Sequence, residues 1–161
     1  MNNKGSAVIS IIIASAFIVF LILPVFAFVM EKQITNTKIS SVKECMDITN
    51  RAVYTALKKD SLCKSEVELS INNGKEQFAA LLKKNMNLDD GFMPKGVCPA
   101  AGKVEILKFD IYREDDSTIY ISSQIRIPLK PSLYLGELCV LDKDGLVHII
   151  VEALSSMPVD N

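Results

Sequence analysis

The stretch Gly5–Met30 constrains this chain most, because its 26 residues include no charged side chain. As an α-helix it would extend about 39 Å, which exceeds the roughly 30 Å hydrocarbon core of a bilayer. A helix satisfies its own backbone hydrogen bonds and is therefore the one single segment that can cross lipid. The sequence predicts a short basic leader at residues 1–5 and a transmembrane helix over residues 6–30. Pro24 lies inside that helix, where we expect it to cause a kink.

The helix is predicted to continue into water as an amphipathic segment over residues 31–60. Neither Gly nor Pro occurs between Glu31 and Asp60, so no helix-ending signal follows the apolar run. At 100° per residue, the apolar side chains gather on half of the circumference, whereas Asn50 and Tyr54 fall on the polar half and Thr49 intrudes on the apolar half. The predicted apolar half comprises Ile34, Ile39, Val42, Cys45, Met46, Ile48, Ala52, Val53, Ala56 and Leu57. Such an apolar stripe must be buried against other residues, and we expect the residues that follow residue 60 to pack on it.

Residues 61–161 are predicted to form a small α+β head. The predicted elements are a short strand at 67–71, a turn at Asn72–Gly74, a helix at Lys75–Asn85, an irregular loop at Asn87–Lys103, and strands at Val104–Tyr112, Ser117–Pro128, Leu138–Leu141 and Leu146–Ala153. The first long strand changes the phase of its apolar residues after Ile106, which indicates a β-bulge. The predicted fold is a long helix packed on a small antiparallel sheet, with one short extra helix.

Charge and motifs point away from catalysis and from nucleic acid. Lys4 is the only charged residue before Glu31, so the remaining 17 basic and 19 acidic residues give the rest of the chain a net charge of −2. The one histidine, His148, lies in a predicted strand without an associated nucleophile. The pairs Asp89–Asp90 and Asp115–Asp116 lie in predicted turns, and Asp142–Gly145 lacks the rest of a calcium loop. We expect no enzyme activity, no cofactor, no metal and no small-molecule substrate.

Four cysteines leave two alternatives open. Cys45, Cys63, Cys98 and Cys139 all follow the apolar stretch, at spacings that do not suit a zinc site. In an oxidising compartment they can form two disulfides, and otherwise they are ordinary half-buried thiols. If disulfides form, we predict the pairs Cys45–Cys139 and Cys63–Cys98, because Cys45 lies on the apolar stripe and Cys139 in a strand that could cover it.

The orientation rests on the layout of the chain. Lysines flank both ends of the apolar stretch, so the positive-inside count slightly opposes a cytoplasmic N-terminus. A short N-terminal flank and a large polar, cysteine-containing domain nevertheless favour a cytoplasmic N-terminus and an extracytoplasmic head. Val25–Ala27 is similar to a signal-peptidase site, but about 18 apolar residues precede it, more than the usual 7–15. We therefore expect the helix to be retained as a single-pass anchor.

The motif Lys4–Val8 (KGSAV), followed by an uncharged helix, an amphipathic continuation and a small sheet, resembles the type IV pilin-like superfamily. Within it the chain resembles the minor pseudopilins of tight-adherence (Tad) type. The resemblance implies that a prepilin peptidase cuts between Gly5 and Ser6. It also implies that the retained helix packs beside other pilin-like subunits, together with assembly-platform proteins and membrane lipid.

The position at which many pilins carry glutamate is Ser10 here. In those proteins the carboxylate can pair with the N-terminal amine of a neighbouring subunit, which offsets the cost of burying either charge. Ser10 disfavours a bulk filament role. The leading hypothesis is a minor structural subunit of a bacterial surface pilus or secretion apparatus. The alternative is a singly anchored, exported binding or sensor module that does not assemble.

Overall fold

The first helix is one continuous element. The computed structural model describes residues 3–63, 71–115, 118–131 and 141–158. Helix α1 spans Asn3–Cys63, 61 residues, and therefore measures about 92 Å at 1.5 Å per residue. The predicted continuation of the helix beyond Glu31 is confirmed. Pro24 lies inside α1 without interrupting it, and its predicted kink angle stays a prediction.

A three-stranded antiparallel sheet forms the body of the head. Its order is β1–β2–β3, with β1 at Glu105–Asp115, β2 at Thr118–Leu129 and β3 at Val147–Pro158. The predicted alternation along β2 is confirmed, since the four isoleucines Ile119, Ile121, Ile125 and Ile127 are all buried. A strand turns alternate side chains to opposite faces, so this sheet presents one apolar face.

A bulge in β1 explains the change of phase in its sequence. The pairing between β1 and β2 shifts between Ile106 and Lys108, so Leu107 has no paired residue. Leu107 is exposed, whereas Phe109 and Ile111 beyond it are buried. The extra residue thus returns the following apolar side chains to the core face, as the sequence predicts.

The core lies between α1, a second helix and the apolar face of the sheet. Helix α2 spans Ile71–Asn85 and contributes Phe78 and Leu82, both fully buried. The rings of Phe78 and Phe109 lie 4.9 Å apart between centroids, which joins α2 to β1. The apolar α1 side chains that are fully buried in this core, among the described residues, are Val42, Met46 and Val53.

Helix α2 begins earlier than predicted. The predicted turn at Asn72–Gly74 is wrong, because these residues are helical, and Ile71 is also helical instead of ending a strand. Residues 67–70, the rest of that predicted strand, lie outside the described residues. Glycine weakens a helix by about 1 kcal/mol relative to alanine, but Gly74 is buried. Burial of the apolar face of α2 outweighs the local preference for a turn.

The strand boundaries also differ from the prediction. β3 continues five residues beyond Ala153, because its pairing with β2 extends to Thr118 opposite Pro158. Of the predicted strand Leu138–Leu141, Leu141 is not in a strand and the other residues lie outside the described part of the chain. The described sheet therefore has three strands where the sequence predicted four.

The buried face of α1 is rotated relative to the predicted stripe, because Asn50 on the predicted polar half is fully buried. Ile39 and Cys45 are partly buried, but Ile34 and Ile48 are more than half exposed. The head covers only part of the circumference of the helix, so apolar residues at the margins of the predicted stripe remain exposed.

Candidate membrane and assembly surface

The N-terminal part of α1 exposes apolar side chains on every face. Each large apolar residue from Ile9 to Met30 is exposed, with Phe20 at 75 % and Phe28 the least at 38 %. Within the described residues, this is the one helix long and apolar enough to cross a membrane, and its most apolar stretch has no buried residue. A soluble helix that is apolar all round would be buried in a large core. This surface is suited to lipid or to other apolar helices.

The residues predicted to be processed or to mediate assembly lie at the start of this surface. Gly5 and Ser6 belong to the first turns of α1, and Ser10 lies one turn further along, exposed. All three lie on α1, and Ser6 and Ser10 would remain on it after a cut between Gly5 and Ser6. Cleavage at Gly5–Ser6 and the role of Ser10 stay predictions.

The transition from apolar segment to head occurs at Glu31. Glu31 is the first charged residue after the apolar segment, yet it is only 5 % exposed. Lys32 directly after it is exposed, and Lys38 two turns later is partly buried. At 100° per residue Glu31 falls on the same face of α1 as the buried Val42 and Thr49, so the helical periodicity is the signal that indicates its burial.

A polar network fixes α1 to the sheet. Asn50 donates through Nδ2 to Ser155 Oγ at 3.2 Å and, at the limit for a hydrogen bond, to the carbonyl of Ile121 at 3.5 Å. Ser155 Oγ in turn donates to Asp47 Oδ1 at 3.1 Å. Asn50 is fully buried, so its predicted place on the polar half is wrong. The sheet supplies acceptors for Nδ2 of this buried amide, whereas Asn50 Oδ1 has no hydrogen-bond partner among the described residues.

Two further hydrogen bonds tie α1 to the rest of the head. The Tyr54 hydroxyl donates to the carbonyl of Pro158, the last residue of β3, at 2.8 Å. Asn85, the last residue of α2, donates to Thr49 Oγ1 at 2.9 Å. Thr49 is fully buried, as its predicted intrusion on the apolar half suggests. The C-terminal part of α1 is therefore held by both directional bonds and apolar packing.

The structure brings two of the four cysteines to one region. Cys45 and Cys98 are free thiols that pack against the same core. Burial is the main cause of the raised pKa of Cys45. A hydrogen bond with Thr49 lowers this pKa, and the nearby Cys98 raises it. Cys139 and the side chain of Cys63 lie outside the described residues, so neither predicted pairing is tested.

The candidate acidic pairs serve local turns. Asp142 Oδ1 accepts hydrogen bonds from the backbone N–H groups of Asp144 and Leu146, and its Oδ2 lies 2.7 Å from His148 Nε2. Gly145 completes this turn with φ of 70°, a conformation that glycine adopts readily. Asp89 Oδ1 likewise accepts from the N–H of Met93 at 2.8 Å. Both carboxylates act as turn-capping acceptors.

The hydrogen bond from Leu146 is the main cause that lowers the pKa of Asp142, followed by that from His148. In the part of the chain that the structure describes, no three His, Cys, Asp or Glu side chains are grouped to hold a metal ion. The molecular feature with the clearest functional potential is thus the exposed apolar helix.

Comparison with protein-family models, with curated proteins and with solved structures finds no match to this chain.

Proposed function

We propose that this protein is a membrane-anchored, pseudopilin-like minor structural subunit of a bacterial surface pilus or secretion apparatus. The observation that carries the proposal is the change of environment along α1. Its first half exposes apolar side chains on all faces, and its second half is the spine of the head. A helix of this kind can be held in lipid and then transferred to a bundle of similar helices, because both environments accept an apolar surface.

The proposed topology places the N-terminus in the cytoplasm and the head outside. By the resemblance, a prepilin peptidase removes residues 1–5 and leaves Ser6 as the new N-terminus. The apolar segment remains as anchor, since the cut precedes it. The partners in this proposal are other pilin-like subunits and assembly-platform proteins.

Ser10 supports a minor role over a bulk one. A hydroxyl at this position cannot form the ion pair that a glutamate could form with the N-terminal amine of a neighbour. A subunit without that charge suits initiation or assembly better than repeated stacking on identical copies.

The N-terminal mass of the membrane form tests processing. We expect a chain that begins at Ser6 in cells that contain the prepilin peptidase. Gly5→Leu should prevent the cut and leave residues 1–5 in place. Ala14→Leu, an apolar change outside the KGSAV motif, is the matched control and should be cut normally. An unmodified chain that begins at Met1 would remove the peptidase step, and one that begins at Phe28 would remove the anchor.

A singly anchored binding or sensor module is the second candidate, and Ser10 is the observation that favours it. Cysteine cross-linking separates the two candidates, with single cysteines placed between Ile11 and Leu23 in a chain whose native cysteines are replaced. Assembly predicts ladders of cross-linked subunits in native cells. A cysteine at the exposed position Thr55 is the control for random collision. Monomer alone at every position from Ile11 to Leu23 would favour the module.

A further inference from the structure

A cleft lies between α1 and the sheet at the end of the head nearest the apolar segment. Its volume is about 170 Å³, far more than the roughly 10–15 Å³ that one water molecule needs by the same kind of measure. Three lysines and three apolar residues dominate its walls: Lys32, Lys38, Lys130, Leu129, Val147 and Ile149. The cleft therefore has a largely apolar surface, with three lysines among the residues that form its walls.

The positive charge of this cleft is not neutralised by the described part of the protein. None of its three lysines forms an ion pair with a described residue. Among the described residues that line the cleft, none is acidic. Glu31, the nearest acidic residue in sequence, is buried and does not line it. The cleft is thus electrostatically suited to an anion.

The cleft begins at the level of the headgroup layer of a bilayer and extends about 5 Å beyond it, a distance that the flexible side chain of Lys38 can span. Lys32 and Lys38 lie two and eight residues beyond Met30, or about 3 Å and 12 Å further along the helix. Each headgroup layer is about 5–7 Å thick, from a total of 40–45 Å around a 30 Å core. The apolar run is longer than that core, and a tilt of the helix within the usual range of up to about 40° accommodates the difference.

The sheet is oriented so that the same end faces the membrane. Leu129 ends β2 and Val147 begins β3, and the two residues are paired. At the opposite end of the sheet, Pro158 is bonded to Tyr54, far along α1. The cleft is therefore at the membrane-proximal end of the head.

We infer that this cleft binds the phosphate of an anionic phospholipid, with Lys32, Lys38 and Lys130 around the phosphate and the glycerol end of the acyl chains against Leu129, Val147 and Ile149. The occupant is a lipid because the cleft adjoins the bilayer and its surface is largely apolar. Binding would fix the height and tilt of the head above the membrane. The inference rests on the membrane anchor in the proposed function, but not on pilus assembly.

Tryptophan fluorescence tests this inference directly, because the chain contains no tryptophan. Asn36 lines the cleft and is exposed, so Asn36→Trp places a reporter there. The full chain is reconstituted in two sets of nanodiscs, one with phosphatidylglycerol and one with phosphatidylcholine. In each set the lipid is brominated near the carbonyl end of its acyl chains. We expect phosphatidylglycerol to quench the reporter at a mole fraction on the order of a hundredfold lower, because the contributions of three lysines multiply. Each lysine changed to glutamine should reduce this preference about fivefold, since each basic residue near an anionic surface contributes on that order.

Matched charge changes provide the control. The triple variant K32Q/K38Q/K130Q should remove the preference, whereas K84Q/K95Q/K103Q alters three exposed lysines that do not line the cleft and should preserve it. Equal quenching by both lipids, or a preference that survives K32Q/K38Q/K130Q, would overturn the inference. Loss of quenching when glycerol 3-phosphate is added at the concentration of the lipid would assign the cleft to a soluble anion and also overturn it.

A separate reporter distinguishes failure of the anchor from failure of the cleft. Phe20→Trp lies in the middle of the apolar segment and should be quenched by both lipids when their bromines are placed near the methyl ends of the acyl chains, because bromine quenches only over short distances. If neither lipid quenches Phe20→Trp, the membrane anchor is wrong and the inference falls with it. If Phe20→Trp is quenched and Asn36→Trp shows no lipid preference, only the inference about the cleft is wrong.

Discussion

Residues 9–30 and residues 39–56 belong to one helix, but they meet their surroundings in opposite ways. In the first region the large apolar side chains are exposed on all faces. In the second region Val42, Met46 and Val53 are fully buried against α2 and the sheet, while the opposite face is exposed. The same secondary structure is therefore stabilised by two different means.

The difference shows what each kind of sequence pattern specifies. A uniformly apolar run has no preferred face, so it suits any apolar surrounding, whether lipid or a bundle of helices. A periodic run has one preferred face and therefore defines which side packs on the head. Hydrogen bonds from Asn50 and Tyr54 then fix the position of α1 along the sheet.

The largest expected effect compares the same substitution in the two regions. Met46→Ala should destabilise the head by about 2–5 kcal/mol, because it opens a cavity in a packed core. Met30→Ala removes an exposed side chain from the same helix and should change head stability by less than about 0.5 kcal/mol. Denaturation of the full chain in detergent, followed by tyrosine fluorescence, measures both. Equal losses of head stability in Met46→Ala and Met30→Ala would show that the head does not pack on the second region alone.

A second comparison introduces a charged side chain into each of the two regions. Phe20→Arg should make membrane insertion less favourable by about 2.5–3.5 kcal/mol, the cost of an arginine near the centre of a membrane helix. Thr55→Arg, at an exposed position of the second region, should leave insertion unchanged. An insertion assay that reports the inserted fraction checks this pair. Insertion unaffected by Phe20→Arg would contradict a membrane location for residues 9–30.

A smaller effect tests the attachment of α1 at the far end of the sheet. Tyr54→Phe removes the hydroxyl that donates to Pro158 and should cost about 0.5–1.5 kcal/mol of head stability. Tyr112→Phe is the matched control, since the exposed Tyr112 stacks on Tyr120 and the ring remains in the variant. The denaturant midpoint of Tyr54→Phe should be lower than that of Tyr112→Phe. Identical midpoints would show that the hydrogen bond to Pro158 adds no stability.

The smallest effect concerns pH and the turn at Asp142–Gly145. The pKa of Asp142 is lowered in the folded protein, chiefly by the N–H of Leu146 and then by His148. Ionised Asp142 therefore stabilises the folded protein at pH values above the ordinary aspartate pKa near 3.9. This stabilisation is lost as pH falls through the lower pKa that Asp142 has in the folded protein. Amide exchange at Leu146 should accelerate in that acidic range. Asp142→Asn should remove this pH dependence, and a dependence unchanged in that variant would assign it to another group.

The sequence predicted the large features because they arise from patterns repeated over many residues. Twenty-six uncharged positions define the exposed apolar part of α1, and the alternation of Ile119, Ile121, Ile125 and Ile127 defines the buried face of β2. The bulge at Leu107 was also predictable, because a single extra residue changes the phase of the apolar pattern.

The errors occurred where a partner element decides the outcome. Asn50 is buried because Ser155, 105 residues away in sequence, offers a hydrogen-bond acceptor. Gly74 is helical because α2 buries its apolar face against the core, and the local turn signal is overruled. The cleft lined by Lys32, Lys38 and Lys130 brings residues of α1 together with the end of β2 and the start of β3, so no single stretch of sequence contains it.

The most direct measurement of the continuous helix is the distance between spin labels on either side of Glu31. Val19 and Ser41 are both exposed, and 22 residues of unbroken helix separate them by about 33 Å. Labels at these positions, in a reconstituted chain whose native cysteines are replaced by alanine, should give one narrow distance distribution near that value. A broad distribution, or one centred well below about 33 Å, would show a hinge between the apolar segment and the head. Such a hinge would contradict one continuous helix α1.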